Sequence, residues 1–310
     1  VHARRLVFVY FEGCEVLDFA GPLQAFHEAM CLGAPYTLLH CGASPIATTA
    51  QGLTVARLAP LPEVTPDDLV LVPGFTTLKS KQTKLVAWLR RAARHGATVG
   101  SICTGALLLA EAGLLDGRTC TTHWKRVGQL RKQCPRATVL EDRLFVIDGK
   151  VVTSAGIASG IDLALALIEQ DLGALMAARV AREMVVYLRR DADQPQESVY
   201  LDHRTHLDPG VHAVQDWLCA NPARKATLTA LARIARTSPR TLTRTFRTLT
   251  GVSVHAYRTR LRLEHARALL ANPSLTLEAV AERCGFADAR QLRRLWSAAF
   301  GAPPSSARSG

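Results

Sequence analysis

Leu228-Thr-Ala-Leu-Ala-Arg-Ile-Ala235 and Leu277-Glu-Ala-Val-Ala-Glu-Arg-Cys284 carry one pattern twice: apolar residues at i, i+3, i+4 and i+7. A second apolar set follows each, Leu242, Phe246, Leu249 and Gly251 in the first copy and Leu292, Trp296, Ala299 and Gly301 in the second. Two pairs of short helices, each pair closed by a glycine, predict two helix–turn–helix units. Charge falls in the same place. From residue 224 to the end there are 16 Lys/Arg and 4 Asp/Glu, a surplus equal to the net charge of +12 for the whole chain. Residues 191–223 hold 1 basic and 6 acidic groups, so charge is segregated by region. A solvated basic face would account for the charge but leaves the duplication without purpose. A basic unit of paired helices points to double-stranded DNA as partner.

With 310 residues, 48% of them hydrophobic, the chain has room for two domains, each with its own core. Its eight cysteines are scattered without CxxC, which fits reduced thiols in a cytoplasm rather than a disulfide scaffold. Leu6–Phe11 is too short for a secretory signal, and no run is long enough to span a membrane. No zinc spacing, phosphate loop or dinucleotide fingerprint is present, so no metal and no cofactor are expected.

The first 170 residues alternate between strand-like and helix-like stretches. Leu6–Tyr10, Tyr36–His40, Leu69–Val72 and Thr98–Ile102 are apolar runs, as strands covered on both faces should be. Helical stretches lie near 20–31, 81–95, 104–112 and 160–170. The alternation predicts an α/β domain, a flavodoxin-like parallel sheet sandwiched by helices. Asp148-Gly149 within Phe145–Val152 predicts an antiparallel hairpin at one edge. A long helix is expected over 172–190, with Leu175, Met176, Val180, Met184 and Tyr187 facing the core or a partner. The polar, Pro-containing stretch that follows gives three regions: a domain over 1–190, a linker over 191–209, and an all-α domain over 210–310 opened by a helix at 210–220.

In a helix–turn–helix the second helix enters the major groove, so it needs an apolar back and a basic front. Ser238-Pro239 supplies a cap and a first-turn proline. Leu242, Phe246 and Leu249 make the back, and Arg240, Thr241, Thr243, Arg244 and Arg247 the front. In the second copy Leu292, Trp296 and Ala299 make the back, and Arg290, Gln291, Arg293 and Arg294 the front. Arginine pairs bidentately with guanine and glutamine with adenine; others of the set would hold phosphates. A helix over about 253–271 joins the two units and stops at Asn272-Pro273.

Gly251-x-Ser253-x-x-x-Tyr257, Arg262-Leu263-x-x-Ala266-Arg267-x-Leu269-Leu270, Val280-Ala281-x-x-x-Gly285-Phe286 and Gly301-x-x-Pro304 together resemble the AraC/XylS family of transcription regulators over 210–308. That resemblance implies two recognition helices in successive major grooves of one DNA face. Val254 stands where the family usually has Pro, and Ala307 where it usually has Tyr.

Gly100-Ser-Ile-Cys103-Thr-Gly105 follows an expected strand and opens a helix over Ala106–Ala112. A nucleophile on such a turn is held exposed, and a helix start favours a thiolate. Asp18 lies just after the first strand, and His123 lies in Thr121-Thr-His-Trp124. With Leu17-Asp18-x-x-Gly21-Pro22, Ala112-Gly-Leu-Leu115 and Gly160-Ile-Asp162, this set over 4–170 resembles the intracellular-protease and glutamine-amidotransferase-like superfamily, isonitrile hydratase in particular. It also resembles regulators that fuse this fold to an AraC-type domain. Arg189-Arg190 and Gln194-x-Gln196 fit those fusions, with Asp193 in place of the usual Gly.

The resemblance makes Cys103 the elbow residue, Asp18 its carboxylic partner and His123 its neighbour. Gly74, Thr104 and Ile157 complete the expected ligand pocket. On the residues alone, other readings stay open: Cys103 as a small buried thiol, Asp18 as a cap for a helix beginning near Phe19, and His123 as a core histidine. The expected function is a cytoplasmic, sequence-specific DNA-binding regulator, not an enzyme, whose N-terminal pocket binds a small nitrogenous metabolite. A homodimer and contact with RNA polymerase go with it. The alternative is a bifunctional protein that keeps cysteine-dependent hydratase or amidase activity.

Overall fold

Strand β1 (Arg4–Tyr10) sits inside a seven-stranded sheet, and its last five residues are buried. The computed structural model describes residues 3–78, 80–186, 190, 192, 196, 203, 206–270, 272 and 274–308. Two units are distinguished, Val1–Gln196 and Glu197–Gly310.

In the first unit β1 is followed by α1 (Val16–Cys31), β2 (Tyr36–Gly42), a small hairpin of β3 (Ile46–Thr48) and β4 (Thr54–Ala56), and β5 (Ala59–Pro60). Then come β6 (Leu69–Val72), α2 (Thr83–Arg94), β7 (Thr98–Ile102) and α3 (Gly105–Glu111). Strand β8 (Thr119–Cys120), α4 (Val127–Gln133) and β9 (Thr138–Val139) lead to β10 (Phe145–Asp148), β11 (Val151–Ser154), α5 (Ser159–Leu172) and α6 (Ala174–Glu183). The sheet order is β10-β11-β7-β6-β1-β2-β5, parallel except for the edge strand β10. Leu6 pairs with Leu69, and Leu69 with Thr98, so β1, β6 and β7 lie side by side at the centre, each with four or five consecutive buried residues. Such strands require cover on both faces, which the helices give. The hairpin at Asp148-Gly149 and the four expected strands are all present.

The helix expected over 172–190 is shorter. Gly173 takes φ +85° and separates α5 from α6, which ends at Glu183. Within α6, Val180 is fully buried while Leu175 is exposed. Met184 packs against the core from beyond the helix end, and Tyr187 falls outside the described residues.

The second unit is all helix: α7 (Pro209–Ala220), α8 (Leu228–Ile234), α9 (Pro239–Thr250), α10 (Val254–Leu270), α11 (Leu277–Arg283) and α12 (Ala289–Phe300). It has two small cores. Leu231, Leu242 and Phe246 pack with Val254, Tyr257 and Leu261, while Val280, Leu292 and Trp296 pack with Leu263, Ala266 and Leu270. Helix α10 therefore serves both. Among the described residues no helix is long and apolar enough to cross a membrane.

Candidate ligand pocket and nucleic-acid interface

Strand β7 is buried along its whole length and turns sharply at Cys103, whose φ is +56°. A non-glycine residue in that region is uncommon and is held only where the surroundings over-determine it. Here the Cys103 amide donates to the Ser154 carbonyl at 3.0 Å, tying the elbow to β11. Gly156 approaches from the same side with φ +106°; a Cβ there would lie 2.2 Å from the Cys103 Cβ and 2.7 Å from Sγ. The elbow exists because residue 156 has no side chain.

Asp18 is buried in the first turn of α1 and does not cap that helix. Its Oδ2 accepts from the Gly74 amide at 2.9 Å and its Oδ1 from the Ile157 amide at 2.7 Å. Cys103 lies beside it, both groups bordering Gly74. Burial raises the carboxyl pKa to about 6, against the pull of the two amide bonds. Burial and the Asp18 charge together push the Cys103 thiol up to about 12. This corrects the expectation of a thiolate: the helix start does not offset desolvation, and at neutral pH the thiol keeps its proton. The resting pair is a thiol beside a carboxylate.

The other expected pocket residues divide. Gly74 touches the pair, since a Cβ on it would sit 2.8 Å from the Cys103 Cβ. Ile157 presents its amide to Asp18 and an exposed side chain to the surface. The Thr104 hydroxyl accepts from the Phe75 amide and donates to the Phe75 carbonyl, both at 2.6 Å, while bordering Gly74 beside Asp18 and Cys103. His123 begins a short turn over Trp124–Arg126, accepts from the Lys125 amide at 3.3 Å and stacks on Trp124. Burial, then Lys125 and Arg126, lower its pKa. Among the described residues no hydrogen bond joins His123 to Cys103. The link runs one residue earlier, where the Thr122 hydroxyl donates to the Cys103 carbonyl at 2.9 Å.

Sequence reasoning missed Thr122, Ser154 and Gly156. The run of small residues ending a β-rich stretch, Ser154-Ala-Gly156, was the available signal. It also missed a separate cavity of about 510 Å³ bordered by Tyr10, Glu12, Lys81, Gln82 and Lys84.

In the helical unit each short helix is capped by a side chain. Thr227, Ser238, Thr276 and Asp288 accept from the amides of Ala230, Thr241, Ala279 and Gln291. The back of α9 is Leu242, Phe246 and Thr250; the back of α12 is Ala289, Leu292 and Trp296, extended by Phe300. Leu249 and Ala299, expected there, are exposed. The helices close on the i+4 position instead of i+3: the Thr250 hydroxyl is satisfied by the Phe246 carbonyl at 2.6 Å, and the Phe300 ring lies 4.5 Å from Trp296.

The basic fronts are solvent-facing. Arg240, Thr243, Arg244 and Arg247 border one hollow on α9 with Thr248, and Arg290, Arg293 and Arg294 are exposed on α12. Among the described residues none of these six arginines forms an ion pair. Thr241 is half-buried, its hydroxyl engaged by Ser238 at 2.9 Å. Gln291 is also half-buried, and its Oε1 accepts from the Ala287 amide at 2.7 Å. Bidentate pairing with adenine would require that bond to break. Arg262 on α10 donates to the Pro222 and Ala223 carbonyls, and Arg258 to those of Arg224 and Ala226, so the shared helix also braces the loop leading into α8.

Comparison with known proteins places both units. The model of the DJ-1/PfpI family matches residues 4–170, and a helix-turn-helix domain model matches 231–310. The chain is 32% identical to the HTH-type transcriptional regulator CdhR of Pseudomonas aeruginosa, over 97% of this chain and 90% of that one. It is 31% identical to isonitrile hydratase of Pseudomonas putida, over 55% of this chain and 73% of that one. Among solved structures, an AraC family transcriptional regulator from Pseudomonas putida superposes with a TM-score of 0.53 at 22% identity, over 58% of this chain and 99% of that one, and so shares the first unit's fold. The chain therefore belongs to the AraC/XylS family of transcription regulators, with a DJ-1/PfpI-family domain ahead of its paired helix–turn–helix units.

Proposed function

We propose that the Asp18–Cys103 pocket binds a small-molecule effector and that its occupancy governs sequence-specific DNA binding by α9 and α12. The observation that carries this reading is the geometry of the pair: a buried carboxyl held by the Gly74 and Ile157 amides beside the strained, buried Cys103 elbow. A thiol held at about 12 beside a carboxyl at about 6 is a poor nucleophile but a polar floor for a ligand. Asp18 retains lone pairs beyond those used by the two amides, which suits a ligand with N–H or cationic nitrogen. The protein is then not an enzyme. Arg240, Arg244 and Arg247, with Arg290, Arg293 and Arg294, read or grip the duplex. Cytoplasmic action, a homodimer and contact with RNA polymerase belong to the same proposal.

The test has two steps. The full chain selects its preferred duplex from a random library. A panel of nitrogenous metabolites is then screened by thermal shift. A ligand at 100 times its Kd stabilises by about 2.7 kcal/mol, or roughly 5–11 °C for a unit of this size. The shift should vanish in Asp18→Ala. A panel without a hit, and a duplex affinity indifferent to every member, would sink the effector reading. The second reading, a cysteine-dependent hydratase or amidase, is favoured only by the carboxyl beside an elbow thiol. It predicts consumption of isonitriles or primary amides that stops in Cys103→Ala.

A further inference from the structure

The described residues at the end of the first unit are bonded to both sides of the pocket. Arg190 grips Asp162 through its backbone amide at 3.2 Å, Nε at 3.1 Å and Nη2 at 2.6 Å. Asp162 is buried in the first turn of α5, just beyond the Gly156–Ile157 segment that presses on Cys103 and Asp18. The Ala192 carbonyl accepts from the Leu144 amide at 3.1 Å. Gln196 then inserts its amide among the loops at the other side. Its Nε2 faces the carbonyls of Thr122 at 3.0 Å, Glu141 at 2.8 Å and Arg143 at 3.2 Å, while its Oε1 accepts from the Trp124 amide at 2.9 Å. The next residue, Glu197, begins the second unit.

We infer that Gln196 is a latch through which the state of the Cys103 elbow reaches the linker, an inference that rests on the effector-pocket reading above. The path has two hydrogen bonds: the Cys103 carbonyl accepts from the Thr122 hydroxyl, and the Thr122 carbonyl accepts from Gln196 Nε2. A ligand that turns the strained Cys103 peptide moves the first acceptor, and with it the loop that holds Gln196. Only an amide satisfies this seat. It must donate to several carbonyls and accept from one N–H, so a carboxylate of the same shape would set negative oxygen against carbonyl oxygen. Gln196 is a positioning residue; it contacts neither ligand nor DNA in this scheme.

The test fixes an adduct in the pocket instead of awaiting the natural ligand. Cys103 in the full chain is converted to its methylthio adduct with excess methyl methanethiosulfonate at raised pH, which offsets the burial of the thiol; methanesulfinate leaves, and peptide mass analysis follows the reaction to completion. A Cys103→Ala protein treated in parallel reports what modification of the other thiols does. Affinity for the selected duplex is measured before and after. The adduct should change the wild-type affinity by about fivefold or more, the lower end of ordinary allosteric coupling. In Gln196→Ala and in Gln196→Glu the change should fall below about twofold, still read against that same range. Gln196→Glu keeps the shape and the acceptor for Trp124 while setting carboxylate oxygen against the carbonyls, so it breaks the seat by a different route from truncation. A change in both variants as large as in wild type overturns the latch and leaves the pocket reading standing. An adduct without effect on wild type overturns the pocket reading, and the latch with it.

Discussion

Cys103 and Arg244 present chemistry in opposite ways. Cys103 is 7% exposed, on an elbow with φ +56°, against a carboxylate whose two oxygens both accept backbone amides. Arg244 stands in solvent on the front of α9 and forms no ion pair among the described residues. The buried group draws its properties from packing, since burial and the neighbouring Asp18 charge raise its pKa. The exposed group draws on the field it shares with its neighbours, which a polyanion completes and salt weakens. One unit is thus tuned by fit, the other by charge density. They should respond to different insults.

The widest contrast expected is between two glycines. Gly156→Ala should destabilise the first unit by about 3–5 kcal/mol, because overpacking adds to backbone strain where a Cβ would meet the Cys103 Cβ at 2.2 Å. Gly251→Ala, at φ +76° with nothing within 4 Å of its would-be Cβ, should cost only about 1 kcal/mol. Urea unfolding of the full chain measures both, and equal costs would break the comparison.

Acid should touch the pocket next. Asp18 titrates at about 6 when folded against 3.8 as its ordinary value. Between those values the folded state holds a proton that the unfolded chain has released. The stability this proton contributes is therefore complete below pH 3.8 and lost as pH rises through 6, by at most about 3 kcal/mol. The unfolding free energy of wild type, taken relative to Asp18→Asn, should fall by up to that amount between pH 4 and 7. A flat difference would mean that burial does not govern the carboxyl.

On the exposed side, Arg244→Ala or Arg294→Ala should weaken duplex binding by about 1–3 kcal/mol if the side chain reads guanine, and relax preference at that base pair. Uniform weakening across sequences with a shallower salt slope would make it a phosphate contact. The smallest effect expected is for Leu249→Ala, within about 0.5 kcal/mol of wild type, since that side chain lies outside the core of α9.

The strands and paired helices were legible because burial leaves a period in the sequence. Leu69–Val72 is covered on both faces and reads as an unbroken apolar run. The helix expected over 172–190 was not, because apolar spacing continues past Gly173 although the backbone turns there. Leu249 and Ala299 fit the period as well as Thr250 and Phe300 do; which side faces inward depends on the angle at which each helix meets α10. The pocket's residue types could be read from the elbow, but the ionisation of Cys103 could not, since it follows from contacts distant in sequence. Gln291 was placed on the basic front by spacing, while Asp288-Ala-Arg-Gln291 also carries the capping pattern that turns its oxygen back to Ala287.

Helix α10 gives Leu261 to one core and Leu263 to the other, with no break in its 17 residues. At about 1.5 Å per residue it spans roughly 26 Å, a rigid ruler between the two helix–turn–helix units. A ruler fixes phase as well as distance. One residue inserted near Arg262 would rotate α12 about 100° relative to α9. On the nucleic acid, about five base pairs inserted between the two contacted segments would turn the second segment to the far side of the duplex, whose repeat is about 10 base pairs. A site carrying both perfect half-sequences in the wrong phase would then bind no better than a single half.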